Sequence, residues 1–477
     1  MNKVFKNTKM VCTIGPKSES KEMMSKLVDA GMNVIRCNFS HGDHAEQGAR
    51  FNTIREINVE KGTHVGVLLD TRGPEIRTHL FENGGVNLDA GGTVAVSMNE
   101  VLGTKEKFSV NYPGLINDIQ VGGTILVDDG NVELSITAID KVAGEIICTV
   151  KNDAYVKDRR GINVPSVKLN MEFLDEKDRA DIVFGCEQQV DFLAASFVRR
   201  AEDVEAIRAI FAEYGNTHTQ IISKIENQEG VDNLDEIIEA SDGVMVARGD
   251  MGVEVPAEEV PMIQKEIIAK CNATGKVVIT ATQMLESMQE NPRPTRAEVS
   301  DVANAVLDGT DAVMLSGESA AGKYPLEAVE TMARIARRTE VEIDFDEMTA
   351  RALSGSQRDV SSAVALSVAD SVVDLGASVV VAATKSGTTA RTISKHRPSA
   401  PIIAAIPCAK AATALSLHWG VHPVVVDDAT NSDEVIAQAE KVAIEVAGLE
   451  LGDVAVITAG LPTGEGNTNV MKIVEVK

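Results

Sequence analysis

Thr219-Gln-Ile-Ile-Ser-Lys-Ile-Glu226 is a β-branched, apolar run that ends abruptly in charge. In an extended strand, residues two apart point to one face, so Lys224 and Glu226 share a side. Asp242-Gly-Val-Met-Val-Ala-Arg-Gly-Asp250 repeats the pattern, and the same reasoning puts Arg248 and Asp250 on one face. A lysine and carboxylates converging at the ends of neighbouring strands are costly to bury uncompensated. They read as a site for a divalent cation and an anionic substrate. A structural ion pair is the competing reading.

Six further runs share this design, giving eight in all: 10–16, 33–40, 65–71, 190–198, 219–226, 242–250, 276–284 and 311–319. Amphipathic helix-like segments separate most of them, the rhythm of a parallel α/β protein. Nearly all the runs terminate in polar or charged residues. A (β/α)8 TIM barrel places its chemistry at the C-terminal ends of its strands. A doubly wound open sheet, the alternative, would concentrate the site at one switch point.

Two regions break the rhythm. Over 72–169 the helix pattern vanishes, and short alternating strands such as Val132-Glu-Leu-Ser-Ile-Thr137 are punctuated by Gly84-Gly85, Gly91-Gly92, Gly122-Gly123 and Asp129-Gly130. This predicts a small all-β lid domain inserted between the third strand and its helix. A second α/β rhythm fills 345–477, with strands near 378–384, 401–406, 421–426, 453–458 and 470–476. The expected division is therefore a barrel built from 1–71 and 170–344, a lid over 72–169, and a C-terminal α/β domain over 345–477.

Composition narrows the function. The 477 residues carry a formal charge of −25 and only 3% aromatic residues. That excludes a basic nucleic-acid surface and leaves few platforms for stacking bases. The cysteines at 12, 37, 148, 186, 271 and 408 have no CxxC spacing, which fits thiols in a reducing compartment better than a disulfide framework or zinc site. The basic start Met1-Asn-Lys-Val-Phe-Lys6 precedes too short an apolar stretch for a signal peptide, and Asp370 and Asp374 interrupt the longest apolar region. A cytoplasmic location without membrane attachment is expected.

Eight segments carry a resemblance to a known family: Cys12-Thr-Ile-Gly-Pro16, Arg36-Cys-Asn-Phe-Ser-His-Gly42, Leu69-Asp-Thr-Arg-Gly-Pro-Glu-Ile-Arg-Thr78, Ser223-Lys-Ile-Glu-Asn227, Ala247-Arg-Gly-Asp250, Thr282-Gln-Met-Leu-Glu-Ser-Met288, Asn291-Pro-Arg-Pro-Thr-Arg-Ala-Glu298 and Met314-Leu-Ser-Gly-Glu318. Together they resemble the signature segments of pyruvate kinase, in family order and across the whole chain. The resemblance implies phosphoryl transfer from phosphoenolpyruvate to ADP, giving ATP and pyruvate, with Mg²⁺ or Mn²⁺ and K⁺ as cofactors. Such transfer relies on positioning and charge neutralisation.

The family pattern assigns roles to residues of this chain. Glu226 and Asp250 resemble the divalent-metal ligands, and Lys224 the lysine that meets the transferring phosphoryl group. Arg36, Gly249, Asp250 and Thr282 complete the implied substrate contacts, and Thr282 is implied beside Lys224 as a catalytic residue. Thr282 also reads as a strand-end residue that caps a helix. Asn38, Ser40, Asp70 and Thr71 match the monovalent-cation site, and Glu75 matches members that require K⁺, where independent members carry lysine. Arg36, Asn38 and Ser40 alternate and are expected to face one way. Asn38, Arg77 and Arg160 resemble nucleotide contacts, although lysine commonly fills position 160 and glycine, not Ser166, commonly follows the proline. Arginine there keeps the charge but widens the donor set. His41 reads as an exposed loop histidine.

In the C-terminal region, Thr384-Lys-Ser-Gly-Thr-Thr389 follows a strand and opens a helix, so its N–H groups and hydroxyls can hold a phosphate. In relatives such a loop receives an allosteric sugar phosphate, which makes Thr384, Ser386, Gly387, Thr388 and Thr389 effector candidates. Gly464-Glu-Gly-Asn-Thr468 resembles a closing second loop, with Glu465 unfavourable for a second phosphate. A strand-to-helix turn without ligand is the plain alternative. A homotetramer is implied by resemblance alone. Two other functions remain: a metal-dependent aldolase or lyase acting on phosphoenolpyruvate or a related enolate, and a silent paralogue, which would be expected to lack Lys224 or a metal carboxylate.

Overall fold

The computed structural model describes residues 5–345, 359–429, 431–461 and 468–477. Eight parallel strands close into a barrel in chain order: Lys9–Thr13, Val34–Asn38, Gly66–Asp70, Phe192–Ala195, Gln220–Ile225, Gly243–Ala247, Val277–Ala281 and Ala312–Leu315. Each of the eight runs supplies one strand. Nearly every strand residue is buried because the outer face is covered by helices and the inner face by the opposite strands. That two-sided burial is why the runs are continuously apolar.

The barrel interior is packed by residues including Val11, Val34, Leu68, Phe192, Ile222, Met245, Ile279 and Met314, and it is completed by Leu417 from the C-terminal region. Leu417 is fully buried and works as a stopper at the amino ends of the strands. Around the same floor, the Lys9 ammonium donates to the Val421 carbonyl at 2.6 Å, and Asp191 accepts from Lys410 at 2.7 Å and Thr413 at 2.6 Å.

The insertion after the third strand forms a seven-stranded sheet and a separate antiparallel pair, Gly85–Leu88 with Ala154–Lys157. It has its own core around Val94, Phe108, Leu134 and Cys148. The expectation of an all-β unit needs one amendment, since a short helix spans Leu115–Asp118. The C-terminal sheet orders its strands Val421–Val425, Ile402–Ile406, Val379–Ala383, Val454–Ala459 and Val470–Glu475, the last antiparallel. The cysteines stay unpaired, with five buried and Cys408 exposed. Among the described residues, no helix is long and apolar enough to cross a membrane.

One expectation fails locally. Arg248 and Asp250 do not lie in a strand, because the sixth strand stops at Ala247 and Arg248–Glu254 is a short helix. Two residues apart on a helix point to different sides. Arg248 therefore turns away to Asp301 at 2.6 Å and the Thr282 carbonyl at 2.8 Å, whereas Asp250 stays beside Glu226. Ser40 likewise falls beyond the second strand, in the turn that follows Asn38.

Candidate active site

The carboxyl ends of the strands gather a buried charged network. Lys224 donates to Ser196 Oγ at 2.7 Å and Asp70 Oδ1 at 3.2 Å, and lies 3.0 Å from Glu226 Oε1. Arg36 donates from Nε to Asp70 Oδ2 at 2.5 Å and from Nη1 to Thr13 Oγ1 at 3.0 Å. Glu226 accepts a second bond from the Phe197 N–H at 2.6 Å. Asp70 and Glu226 are each 1% exposed, so these charges feel little water.

Electrostatics follow from that burial. Desolvation lowers the Lys224 ammonium, but Asp70 and then Glu226 outweigh it and hold the amine charged far above physiological pH. Burial raises Asp70, yet the Arg36 and Lys224 charges together bring it below the ordinary carboxylate range. Glu226 behaves differently: burial pushes it up to about 8, against the pull of Lys224 and with Asp250 adding repulsion. Asp250 has no ion-pair partner among the described residues. Glu226 and Asp250 repel each other, and Lys224 divides its charge between Glu226 and Asp70.

Thr282 is strained in a telling way. Its φ of 66° is unusual for a β-branched residue, and Gln283 beside it is also left-handed. This geometry aims Oγ1 to accept the Gly249 N–H at 2.7 Å while donating to the Ala281 carbonyl at 2.6 Å. Thr282 thus caps the neighbouring Arg248–Glu254 helix rather than a helix following it.

The residues expected to hold a monovalent cation come from the ends of the second and third strands, where Asn38 and Asp70 are register partners. Asn38 Oδ1 accepts from the Ser40 N–H at 2.9 Å, and the Thr71 carbonyl accepts from Ser196 Oγ at 2.7 Å. Both Asp70 oxygens are engaged by Arg36, Lys224 and Ser196. Glu75 pairs with Arg77, whose Nε donates at 2.6 Å.

The lid leans over this mouth and encloses a cleft of ≈ 370 Å³ whose walls include Glu75, Arg77, Asp129, Arg160, Arg199 and Asp250. Arg77 and Arg160 stand side by side on the wall the inserted unit supplies, next to the register pair Gly161–Arg77; Arg160 lies 3.3 Å from Asp128. The Asn163 amide donates to Glu254 at 2.7 Å, tying the lid to the short helix that carries Asp250. Where the chain leaves the third strand for the insertion, Gly73 adopts φ 76°, and a Cβ there would sit 2.8 Å from the Ser196 Cβ. Arg36, Asp70, Lys224, Glu226, Asp250 and Thr282 converge, whereas His41 lies exposed on its loop. Ser196, Thr13 and Asn163 escaped the sequence reading. Ser196 and Thr13 are polar groups at or just past a strand end, the same signal that marked Lys224.

Far from the mouth, Gly387 adopts φ 87° ahead of the helix Thr388–Lys395, and the Gly387 N–H donates to Thr384 Oγ1 at 3.0 Å. Ser386 and Thr388 hydroxyls lie 3.0 Å apart, and Thr468 Oγ1 bonds Thr389 at 2.9 Å. The closing-loop candidates Gly464, Glu465, Gly466 and Asn467 lie outside the described residues.

A closed parallel barrel with its charged groups at the carboxyl ends of the strands, under an inserted β unit, defines a lidded (β/α)8-barrel enzyme. Residues 5–329 match the family model "Pyruvate kinase, barrel domain", and 362–474 match "Pyruvate kinase, alpha/beta domain". A pyruvate kinase of Geobacillus stearothermophilus is 54% identical over 469 residues, covering 98% of this chain and 80% of that protein. One of Staphylococcus epidermidis is 54% identical over 470 residues with the same coverages. The crystal structure of a pyruvate kinase from Cryptosporidium parvum superposes with a TM-score of 0.93 at 41% identity, covering 99% of this chain and 96% of that one. The chain belongs to the pyruvate kinase family and is a phosphotransferase.

Proposed function

We propose that this enzyme moves the phosphoryl group of phosphoenolpyruvate to ADP in a Mg²⁺- (or Mn²⁺-) and K⁺-dependent reaction. The P–O bond to the enol oxygen breaks, a new P–O bond forms to the terminal oxygen of ADP, and the released enolate takes a proton at carbon to become pyruvate. The observation that carries this reading is Lys224, a charged donor at the mouth, beside the neighbouring carboxylates Glu226 and Asp250.

Glu226 and Asp250 fit a divalent cation because they are neighbouring carboxylates at the mouth, and magnesium is commonly held by one or two carboxylates plus substrate oxygens and water. Bound there, the metal would neutralise charge on the transferring group. Lys224 supplies a preorganised positive charge for the same oxygens. Arg36 and the Gly249 and Asp250 backbone orient the substrate, and Thr282 fixes Gly249 by its hydroxyl. Asn38, Ser40, Asp70 and Thr71 offer hard oxygens suited to K⁺, and Glu75 leaves the site short of a lysine charge. Arg77, Arg160 and Asn38 serve the nucleotide.

The reading extends to a lid over 72–169, a barrel over 1–71 and 170–344, and a regulatory domain over 345–477. It includes a sugar-phosphate effector at Thr384, Ser386, Gly387, Thr388 and Thr389, a homotetramer, and a cytoplasmic location. The test is ATP formation from phosphoenolpyruvate and ADP with Mg²⁺, with and without K⁺. K⁺-dependent turnover is expected. No ATP under either condition would reject the reading in favour of another enolate chemistry.

A further inference from the structure

At the opposite end of the barrel from the active site, the strand starts and the C-terminal helix Thr388–Lys395 with the segments after it enclose a small cleft whose walls include Lys276, Asp311, Arg391, Lys395, Arg397 and His418. Four of these side chains are cationic and one is acidic. Asp311 is already committed: it pairs with Arg397 Nη2 at 2.9 Å and accepts from the Val278 N–H at 2.9 Å and the Trp419 N–H at 3.4 Å. Arg391 Nη2 donates to the Ser386 carbonyl at 3.1 Å, and Lys276 donates to the Ser241 carbonyl at 2.5 Å. Neither of those partners carries charge. Among the described residues, Arg391, Lys395 and Lys276 have no ion-pair partner.

On these walls, Arg397 Nη1 lacks any hydrogen-bond partner although its residue is only 5% exposed. Such a group is costly to leave unmet. The imidazole of His418 registers the surplus charge, being pushed down to about 3 by burial first and then by Arg391, with Lys9 and Arg397 adding to it. In a chain of net charge −25, this is a local inversion of sign.

We propose that the cleft binds one small monovalent anion of the halide class, with chloride as the physiological occupant. Its volume of ≈ 10 Å³ favours a single compact ion over a larger anion. A water molecule could meet the open hydrogen bond but would leave the charge surplus in place. The anion neutralises Arg391 and meets the open Nη1 of Arg397. Arg391 reaches the loop at Ser386, and Arg397 reaches Asp311 at the foot of the eighth strand, so the ion joins the two domains.

The test uses the full chain, crystallised with sodium bromide in place of chloride and measured at the bromine absorption edge. An anomalous peak between Arg391 and Arg397 is expected in the native protein and is expected to vanish in Arg391→Met. The native protein should also melt a few degrees higher in chloride than in gluconate at equal ionic strength, a gap that closes in the variant. If Arg391→Met does not fold, Lys395→Met, whose side chain is partly exposed, is compared in the same way. A water without anomalous signal in the native cleft overturns the proposal. So does a peak or thermal gap that persists unchanged in the variants.

Discussion

Replacing Lys224 with methionine separates catalysis from architecture at one atom. The ammonium nitrogen is within reach of Asp70 Oδ1, Ser196 Oγ and Glu226 Oε1, so its loss strips the charge partner from two buried carboxylates. Asp70 keeps Arg36 at 2.5 Å, and Glu226 can respond by staying protonated, since burial already lifts it to about 8. Breaking a buried pair costs about 3–5 kcal/mol when the orphaned charge cannot escape. With these two outlets, a loss near the lower end of that range is expected, visible as a fall in Tm with folding retained. The catalytic loss should be larger. A preorganised charge at a transferring phosphoryl group contributes about 10³-fold or more in kcat, roughly 4 kcal/mol. The assay is coupled ATP formation under saturating phosphoenolpyruvate, ADP and metal, alongside thermal melting. Residual activity should rise with pH, because Glu226 must lose its proton to serve a metal and Lys224 no longer helps it to do so. A folded Lys224→Met enzyme within tenfold of native turnover would refute the reasoning.

Three further outcomes can be checked. Glu75→Lys should weaken the K⁺ requirement by placing a fixed charge beside the cation ligands, read as the ratio of turnover with and without K⁺; an unchanged ratio counts against the cation site. Leu417→Ala should open a hole in the barrel interior and cost about 2–5 kcal/mol in urea unfolding, far more than an exposed leucine such as Leu451. Acidification should destabilise the fold through His396 and His418, which burial pushes down to about 4 and about 3. Their folded values lie below the ordinary 6.5, so the unfolded chain binds protons first. Stability is full above that value and falls as pH drops toward 4, by about 1 kcal/mol per pH unit for each imidazole. A urea midpoint that stays flat between pH 7 and 5 would contradict this.

Sequence carried the barrel because parallel strands buried on both faces leave uninterrupted apolar runs that end where the chemistry sits. The Lys224–Glu226 pair was legible from spacing alone. The short helix at Arg248–Glu254 was not, since the glycine and charge that follow Ala247 look the same whether the strand continues or turns. Local pattern also hides long-range roles. Within the signature segments, Glu298 closes a capping box with Thr295 and also holds Ser287, while Glu318 holds the Leu285 and Ser316 N–H groups. Those carboxylates fasten loops; the Thr295-x-x-Glu298 spacing of a capping box marks the first, whereas nothing in the context of Glu318 distinguishes it from a ligand. Lys9 and Leu417 read as an ordinary strand start and an ordinary loop residue until the two domains meet.

Leu417 also constrains the order in which the molecule can be finished. The residue that stops the barrel floor leaves the ribosome long after the eighth strand, together with the carbonyl of Val421 that receives Lys9. A nascent barrel can therefore assemble its strands and lid but must wait, with an open apolar floor and a buried lysine unsatisfied, for the C-terminal domain to arrive. Unfinished apolar surface of that kind is what chaperones hold and what aggregation exploits. Truncated or stalled chains should be degraded or captured even when every catalytic residue has already been made.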